Sequence, residues 1–241
     1  MDAETSMDSL DDAREFLRHR GWLAELPADL RDALLARCRL LPPFSREDTV
    51  FRIGDEPDGI YGVVSGCFAL QLAPNEQGPH TFHLCRPGAW FGELAHCLGR
   101  PRATTLIATR RSRCLRVPAR EVEGLLKEKP ELWRWFALSL AHNVKIAFSA
   151  VDDMTIRLPR RRIAAVLLRL AGSRGDAFAD AEASAELDVT HHDIAFLANV
   201  SRSAVGENLR LLEEEGFLEC SYGRITLLDP GGLQSWLGDT A

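Results

Sequence analysis

The feature that most constrains this sequence is a block of short β-rich runs between residues 44 and 118. Examples are TVFRI, IYGVV, CFALQLA, HTFHLC and TLIA. Turn-forming stretches separate these runs, among them GDEPDG, APNEQG and RPG. Because glycine and proline end each strand after a few residues, the block cannot form long helices or long flat strands. Many short strands with this spacing are typical of a small β-barrel or β-roll.

The length and composition indicate a globular chain of one large domain or two smaller ones. The chain has 241 residues, of which 46% are hydrophobic and 27% are charged. No apolar run approaches the roughly 20 residues of a membrane helix. The start, MDAETSMDSLDDAREF, is acidic and does not resemble a signal peptide. We therefore expect a cytoplasmic protein with no membrane partner.

Cysteine and histidine spacing predicts neither a metal site nor a catalytic centre. The six cysteines are scattered and form no CxxC pair, unlike the close clusters of zinc and iron–sulfur sites. His191 and His192 are adjacent, so they do not share a helix face. No nucleophile–base pair or phosphate-binding Walker loop stands out. We expect that the protein is not an enzyme.

Helical patterns flank the β-rich block. Residues 8–41 have helical spacing, a short helical segment follows at 119–129, and a longer helix is predicted for 131–156 after Pro130. In that longer helix, apolar and small residues recur at alternating intervals of four and three: Ala137, Ala141, Val144, Phe148, Val151 and Thr155. This alternation predicts a parallel homodimer, with packing of the stripe on the chain's own roll as the alternative.

The C-terminal region has the capping and spacing of a helix-turn-helix. Leu158-Pro159 is expected to break the chain ahead of it, as a hinge between domains requires. Thr190 is a predicted N-cap with Asp193 three residues later, Asn199 suits a left-handed turn, and Ser201 is a second N-cap. The following segment, FLECSYGRITLLD, predicts a β-hairpin that turns at Tyr222-Gly223. Together these features predict a winged DNA-binding domain.

The start of the second helix is expected to enter the major groove of double-stranded DNA. Arg202 is the candidate for a bidentate contact to guanine. The outward face of that helix contains Arg202, Ser203, Gly206, Glu207 and Arg210. Residues expected to contact phosphates and set the register are Thr190, His191, Ser201 and Arg224. Glu207 either accepts from a cytosine amine or weakens binding by facing phosphates.

The net negative charge of the chain bears on the DNA-binding prediction. The chain has a net charge of −6, and residues 157–241 contain 9 arginines and no lysine against 13 acidic residues, which gives 9 − 13 = −4. Net charge does not exclude DNA binding, because binding depends on local basic faces. We predict a marked preference for one specific site and weak non-specific affinity.

The stretch FGELAHCLGRPRATT, residues 91–105, combines a glycine, a carboxylate and a Pro-Arg pair. It predicts a loop that surrounds a small anion with backbone amides and one guanidinium, because that fork-shaped cation suits two phosphate oxygens.

With these motifs in view, residues 28–233 resemble the cyclic-AMP receptor / fumarate–nitrate regulator family of bacterial transcription factors. The matching pieces are RPGAWFGELAHCLGRPRATT, the long helix after Pro130, SRSAVGENLRLLEEEG and RITLLDPGGL. The resemblance implies an α+β fold with a cyclic-nucleotide-binding-type β jelly roll, a long dimerisation helix and a winged helix-turn-helix. We expect these domain boundaries: an N-terminal helical extension at 1–27, an effector-binding roll at 28–130, a dimerisation helix at 131–157 and a DNA-binding domain at 158–241.

The resemblance also implies roles in an effector site. Gly92 and Glu93 match the start of the family's phosphate-binding cassette, where the acid contacts the ribose 2′-hydroxyl. Arg102 matches the arginine that binds the cyclic phosphate, and the amide of Ala103 follows it. Leu94 and Ala95 lie between them. The implied effector is a cyclic nucleotide, with cyclic AMP ahead of cyclic GMP and cyclic di-GMP, and RNA polymerase is an implied partner.

Two departures from the family pattern leave alternatives open. Ala147 and Phe148 occupy the places of the family's adenine-binding threonine and serine, and Phe148 would either stack on a base or fill its site. Ser203 and Glu207 replace a glutamate and an arginine of the common recognition helix, so the usual half-site is not implied. The alternative function is a constitutive, redox-responsive or otherwise regulated transcription factor with no nucleotide ligand.

Overall fold

The computed structural model describes residues 9–72, 79–174 and 184–238. The chain forms two compact units. The first contains the described residues up to Leu72 together with Cys85–Leu140, and the second contains those of 73–84 and 141–241. The predicted APNEQG turn at 73–78 lies outside the described residues, as do residues 1–8.

Three short helices begin the first unit: α1 (Leu10–Arg18), α2 (Gly21–Ala24) and α3 (Ala28–Ala36). The Ser9 side chain caps α1 by accepting from the Asp12 N–H. Pro27 stands at the N-cap of α3, where its missing N–H has no cost. The predicted helical stretch 8–41 is therefore interrupted, and it ends before a short strand, β1 (Arg39–Leu40).

The predicted β-roll is confirmed. Its further strands are β2 (Thr49–Phe51), β3 (Gly59–Ser65), β4 (Phe68–Leu72), β5 (His80–Cys85), β6 (Trp90–Phe91), β7 (Thr105–Ala108) and β8 (Arg113–Pro118). In the first unit, antiparallel pairing gives the orders β1–β8–β3–β6 and β2–β7–β4. The runs quoted from the sequence correspond to β2, β3, β4, β5 and β7.

An aromatic and aliphatic core holds the roll together. It contains Phe51, Tyr61, Val63, Phe68, Cys85, Phe91, Leu106, Ala108 and Cys114. The Tyr61 and Phe91 rings are stacked, with centroids 5.5 Å apart. Helix α4 (Glu93–Leu98) follows β6, and α5 (Ala119–Glu128) follows β8. Helix α6 (Leu132–Thr155) comes next and continues into the second unit.

The long helix α6 leaves its predicted seam open. All six seam residues are at least partly exposed in the described chain: Ala137, Ala141, Val144, Phe148, Val151 and Thr155. Leu132, Phe136 and Ile146, which are off the seam, are buried instead. Packing of the seam on a second copy or on the chain's own roll stays a prediction.

Helix α6 and the next helix, α7 (Pro159–Leu170), are separated at the predicted break. Leu158 has an extended backbone (φ −78°, ψ 120°), which is the conformation favoured before proline. A buried ion pair spans the break, because Arg169 Nε donates to Asp153 Oδ2 at 2.8 Å. The end of α6 is therefore held to α7 by an ion pair as well as by the backbone.

The predicted helix-turn-helix and its hairpin are confirmed. Its elements are α8 (His191–Ala198) and α9 (Arg202–Glu214), followed by the hairpin strands β10 (Leu218–Ser221) and β11 (Arg224–Leu227) and by α10 (Pro230–Gly238). Thr190 and Asp193 form the capping box, Asn199 is left-handed (φ 48°), and the Ser201 side chain caps α9. One strand that the sequence did not suggest, β9 (Ala185–Leu187), pairs with β11.

Within the described ranges, no helix combines the length and the apolar character that crossing a membrane requires.

Candidate functional sites

Gly92 opens the predicted cassette, in a conformation that needs glycine. It is the N-cap of α4 and has a left-handed backbone (φ 99°). A Cβ atom here would lie 2.8 Å from Arg102 Nη1 and 2.9 Å from the Gly59 carbonyl oxygen. Because both distances are shorter than normal contacts, the absence of a side chain at Gly92 is what lets Arg102 approach the loop.

Arg102 is buried against that loop and against the aromatic core. Its Nη1 donates to the Gly92 carbonyl at 2.9 Å, and its Nη2 donates to the Gly59 carbonyl at 2.8 Å. Its Cζ lies 4.3 Å from the ring centroid of Phe51. The backbone is also anchored, since the Arg102 N–H donates to the Asp55 carbonyl at 2.8 Å. The structure therefore brings Gly92 and Arg102 together, as the cassette prediction requires.

The carboxylate of Asp58, a residue of the predicted GDEPDG turn, completes this site. Asp58 Oδ1 accepts from Arg102 Nη2 at 2.9 Å, and Oδ2 accepts from Arg116 Nη1 at 3.0 Å. The Tyr61 hydroxyl donates to Oδ2 at 2.6 Å. The signal in the sequence is an acid directly before a buried β-strand, in DGIYGVV.

The Asp58 network shifts the pKa values of its acidic members in opposite directions. Partial burial works to raise the pKa of Asp58, but the hydrogen bonds from Tyr61, Arg102 and Arg116 outweigh it and hold that pKa below its ordinary value. The pKa of Tyr61 is raised, first by burial and then by its hydrogen bond to the Asp58 carboxylate. Asp58 is therefore a charged carboxylate at neutral pH.

The other predicted effector residues differ in how far they are buried. Glu93 and Ala95 are buried, whereas Leu94 and Ala103 are exposed. Phe148 belongs to the second unit, where its ring is 68% exposed on α6. Stacking of Phe148 on a base stays a prediction.

Cysteine chemistry has little support in the described residues. Burial raises the pKa of Cys38 and of Cys114 to about 12, so both thiols stay protonated and unreactive at neutral pH. Among the described histidine, cysteine and acidic residues, no group of three or more could hold a metal ion.

The predicted base-reading residues lie on the exposed side of α9. Arg202, Ser203, Glu207 and Arg210 are all exposed, and Val205 and Leu209 on the opposite side are buried. Arg202 Nη2 lies 2.7 Å from His192 Nδ1, a neighbour on α8. Arg210 forms an ion pair with Glu214 one turn later.

The residues predicted to contact phosphates are partly engaged within the protein. Thr190 and Ser201 use their hydroxyl oxygens to cap α8 and α9, whereas His191 is exposed. Arg224 lies 3.2 Å from Glu186 and 3.5 Å from Asp188. Arg224 therefore has acidic neighbours that any phosphate contact would have to replace.

Sequence reasoning missed two features of the second unit. The buried His80 ring stacks on Phe196 of α8, with centroids 3.9 Å apart. At the start of α7, Arg160 and Arg161 lie 5.0 and 5.5 Å from the Trp236 ring centroid. Both arginines line one pocket with Glu207 of α9. The basic run RLPRRR around Pro159 was the signal available for this pocket.

Comparison with known proteins matches both halves of the chain to described domains. Residues 42–129 match the cyclic nucleotide-binding domain, and residues 161–236 match the Crp-like helix-turn-helix domain. The second match implies DNA binding. The order of the two domains is the one that the resemblance predicted.

Similar proteins are transcription regulators. The transcriptional regulator SdrP of Thermus thermophilus is 28% identical over 198 residues, which cover 78% of this chain and 93% of that protein. The cyclic AMP receptor protein of the same species is 26% identical over 189 residues, covering 77% and 82%. The crystal structure of a CRP/FNR-family transcriptional regulator, also from T. thermophilus, gives a TM-score of 0.62 at 26% identity, covering 84% of this chain and all of that one.

Proposed function

Because the chain belongs to the CRP/FNR family of transcription regulators, we propose that it is a homodimeric, sequence-specific regulator whose affinity for DNA is set by a cyclic nucleotide. The nucleotide would bind in the roll at 28–130, and the DNA would bind to the domain at 158–241. The N-terminal extension at 1–27 would precede the roll, and the helix at 131–157 would join two copies.

The observation that carries the effector assignment is the approach of Arg102 to Gly92. A buried guanidinium beside a glycine loop is a suitable site for a phosphate, because burial strengthens the charge–charge interaction. By resemblance, Arg102 and the Ala103 amide would bind the phosphate, and Glu93 would bind the ribose 2′-hydroxyl. Leu94 and Ala95 belong to the same cassette, and Phe148 would stack on the base. Cyclic AMP is the first candidate, ahead of cyclic GMP and cyclic di-GMP.

The open seam of α6 supports the homodimer. Val144, Phe148 and Val151 are large apolar side chains, and each is exposed in the single chain. Their spacing is that of a coiled-coil interface, so a second copy of the same helix would cover them. Replacement of Val144 by aspartate should convert the dimer to a monomer in analytical ultracentrifugation. The same change at Tyr222, exposed at the tip of the hairpin, should leave the dimer intact.

Two recognition helices in one dimer would read two half-sites of double-stranded DNA. Arg202, Ser203, Glu207 and Arg210 would face bases, while Thr190, His191, Ser201 and Arg224 would lie near phosphates. Gating follows if the nucleotide binds the DNA-competent arrangement of the dimer more tightly than the other arrangement. RNA polymerase is the proposed partner of the DNA-bound dimer.

A second candidate function is favoured by one observation. The Arg102 side chain is only 2% exposed and already lies against the Asp58 carboxylate. A roll that neutralises its own arginine would need no nucleotide to be stable. The protein would then bind DNA constitutively or respond to a redox or other signal.

Fluorescence anisotropy with an operator selected from random double-stranded DNA tests both candidates. For the first, cyclic AMP, cyclic GMP or cyclic di-GMP should raise the affinity of the wild type for DNA, and Arg102→Ala should abolish that response. For the second, neither the nucleotides nor Arg102→Ala should change the affinity. Calorimetry with the same three nucleotides measures effector binding directly.

A further inference from the structure

Asp58 contacts Arg102, the arginine that the proposed function assigns to effector binding. The comparisons with known proteins assign no role to Asp58. Its two carboxylate oxygens face different arginines. Oδ1 lies 2.9 Å from Arg102 Nη2, and Oδ2 lies 3.0 Å from Arg116 Nη1. A carboxylate with one oxygen on Arg102 presents the same charge and the same acceptor that a phosphate oxygen would present there.

The hydrogen bonds of Arg102 show what a phosphate would have to displace. Both N–H groups of Nη2 are in use, one to Asp58 and one to the Gly59 carbonyl. One N–H of Nη1 donates to Gly92. The Nε N–H is buried and has no hydrogen-bond partner within the described residues. Because Nε and Nη2 form one edge of the guanidinium, a phosphate bound at that edge would use the unpaired Nε donor together with Nη2.

Asp58 can leave Arg102 without losing its other partners. Its side chain is 44% exposed, whereas that of Arg102 is 2% exposed, so the carboxylate is the freer member of the pair. The Tyr61 hydroxyl lies 2.7 Å from Oδ1 and 2.6 Å from Oδ2, so it and Arg116 would still hold the carboxylate through Oδ2 after Oδ1 moved away from Arg102. These two residues therefore provide a second position in which the carboxylate stays paired.

We propose that Asp58 is an internal competitor for the phosphate of the effector and that it determines how tightly the roll binds that phosphate. In the ligand-free roll, Asp58 neutralises Arg102. When a cyclic nucleotide binds, its phosphate takes the Nε–Nη2 edge of Arg102, and Asp58 stays with Arg116 and Tyr61. This inference rests on the proposed function of the cassette.

The test is isothermal titration of cyclic AMP into full-length protein. Asp58→Asn keeps the shape of the side chain and removes the competing charge, so we expect it to bind cyclic AMP about tenfold more tightly than the wild type. Glu56→Gln is the matched control, because it removes one charge from an exposed residue two positions away. It should bind within about twofold of the wild type.

A second variant should move the affinity in the opposite direction. Arg116→Gln removes the alternative partner of Asp58, so the carboxylate should hold Arg102 more firmly and cyclic AMP should bind about threefold more weakly. In the Asp58→Asn background, Arg116→Gln should have no further effect on cyclic AMP affinity. This double-mutant cycle separates action through Asp58 from a general loss of positive charge at the pocket.

The outcomes distinguish this inference from the proposed function. Tighter binding by Asp58→Asn, or binding by that variant alone, supports competition. If Asp58→Asn binds more weakly than the wild type, Asp58 orients Arg102 for the phosphate instead; competition is then overturned while the effector site stands. If neither protein binds any cyclic nucleotide, both the competition and the nucleotide effector are overturned, and DNA binding through Arg202 is unaffected. If Asp58→Asn does not fold, an unchanged affinity in Arg116→Gln overturns the inference.

Discussion

Two arginines carry most of the proposed chemistry of this protein, and their surroundings are opposite. Arg102 in the roll is buried, lies over the Phe51 ring and donates to two carbonyls and a carboxylate. Arg202 at the start of α9 is exposed, and its Nη2 lies 2.7 Å from Nδ1 of the His192 ring. Both residues are proposed to bind phosphate-bearing ligands, one a small nucleotide and the other DNA.

The difference shows how burial changes what an arginine site must contain. The Arg102 side chain is only 2% exposed, so the protein itself has to supply acceptors and a counter-ion. Water solvates Arg202, which therefore needs no carboxylate and stays available to a base edge. Loss of the buried arginine should consequently affect folding first, and loss of the exposed one should affect binding alone.

The largest expected effect tests the buried side of this comparison. Arg102→Gln leaves the Gly92 and Gly59 carbonyls and the Asp58 carboxylate without their donor. We expect the free energy of unfolding to fall by about 2–4 kcal/mol, as measured by urea denaturation. The control is Arg52→Gln, a change at an exposed arginine near the same loop. Equal stability of Arg102→Gln and wild type would mean that Arg102 is not held as tightly as its contacts indicate.

The next effect tests the exposed side. Arg202→Ala should weaken binding to the selected operator by about 1–3 kcal/mol, because a bidentate base contact is lost. Its free energy of unfolding should stay within about 0.5 kcal/mol of the wild-type value. Anisotropy titrations measure the first quantity and urea denaturation the second. The control Arg120→Ala removes the same charge at an exposed position of α5 and should change neither operator binding nor stability. Undiminished operator binding by Arg202→Ala would refute the assignment of α9 as the recognition helix.

A smaller effect concerns the neighbour of Arg202. Since Arg202 must leave His192 to contact a base, His192→Ala should strengthen operator binding by about 0.5–1 kcal/mol. Competition between the operator and unrelated DNA of equal length measures this change. Weaker binding by the variant would show that His192 positions Arg202 rather than competing for it.

The smallest expected effect is a difference in acid stability. Asp58 has a lowered pKa in the folded protein, so its contribution to stability is present above the ordinary aspartate pKa and is lost as the pH falls through the folded-state value. Solvent screening keeps this contribution small, because Asp58 is partly exposed. When the pH falls from neutral to below the ordinary aspartate pKa, the free energy of unfolding should therefore decrease less for Asp58→Asn than for the wild type. Parallel losses in thermal unfolding across that range would argue against a charged, paired Asp58.

Local sequence signals predicted the elements of both regions well. The capping residues Thr190 and Ser201 and the turn residue Asn199 act within a few positions of their own place in the chain, and the structure has them as expected. Among β1–β9, the strands that match none of the runs quoted from the sequence are β1, β6, β8 and β9. Three of them, β1, β6 and β9, are two or three residues long and carry no periodicity of their own. They exist because a neighbouring strand offers them hydrogen bonds.

The sequence by itself predicted the order of the domains, the helix-turn-helix with its caps, the apolar seam of α6 and the pairing of a glycine loop with Arg102. Each of these depends on residue types at short, regular spacing. Only the tertiary structure decided that Asp58 lies on Arg102 and that Arg116 and Tyr61 share its carboxylate. Asp58 and Arg102 are 44 residues apart, and the antiparallel pairing of β3 with β8 sets Tyr61 directly against Arg116. Strand register, which depends on pairing between residues distant in the chain, therefore determines which arginine shares the Asp58 carboxylate with Arg102.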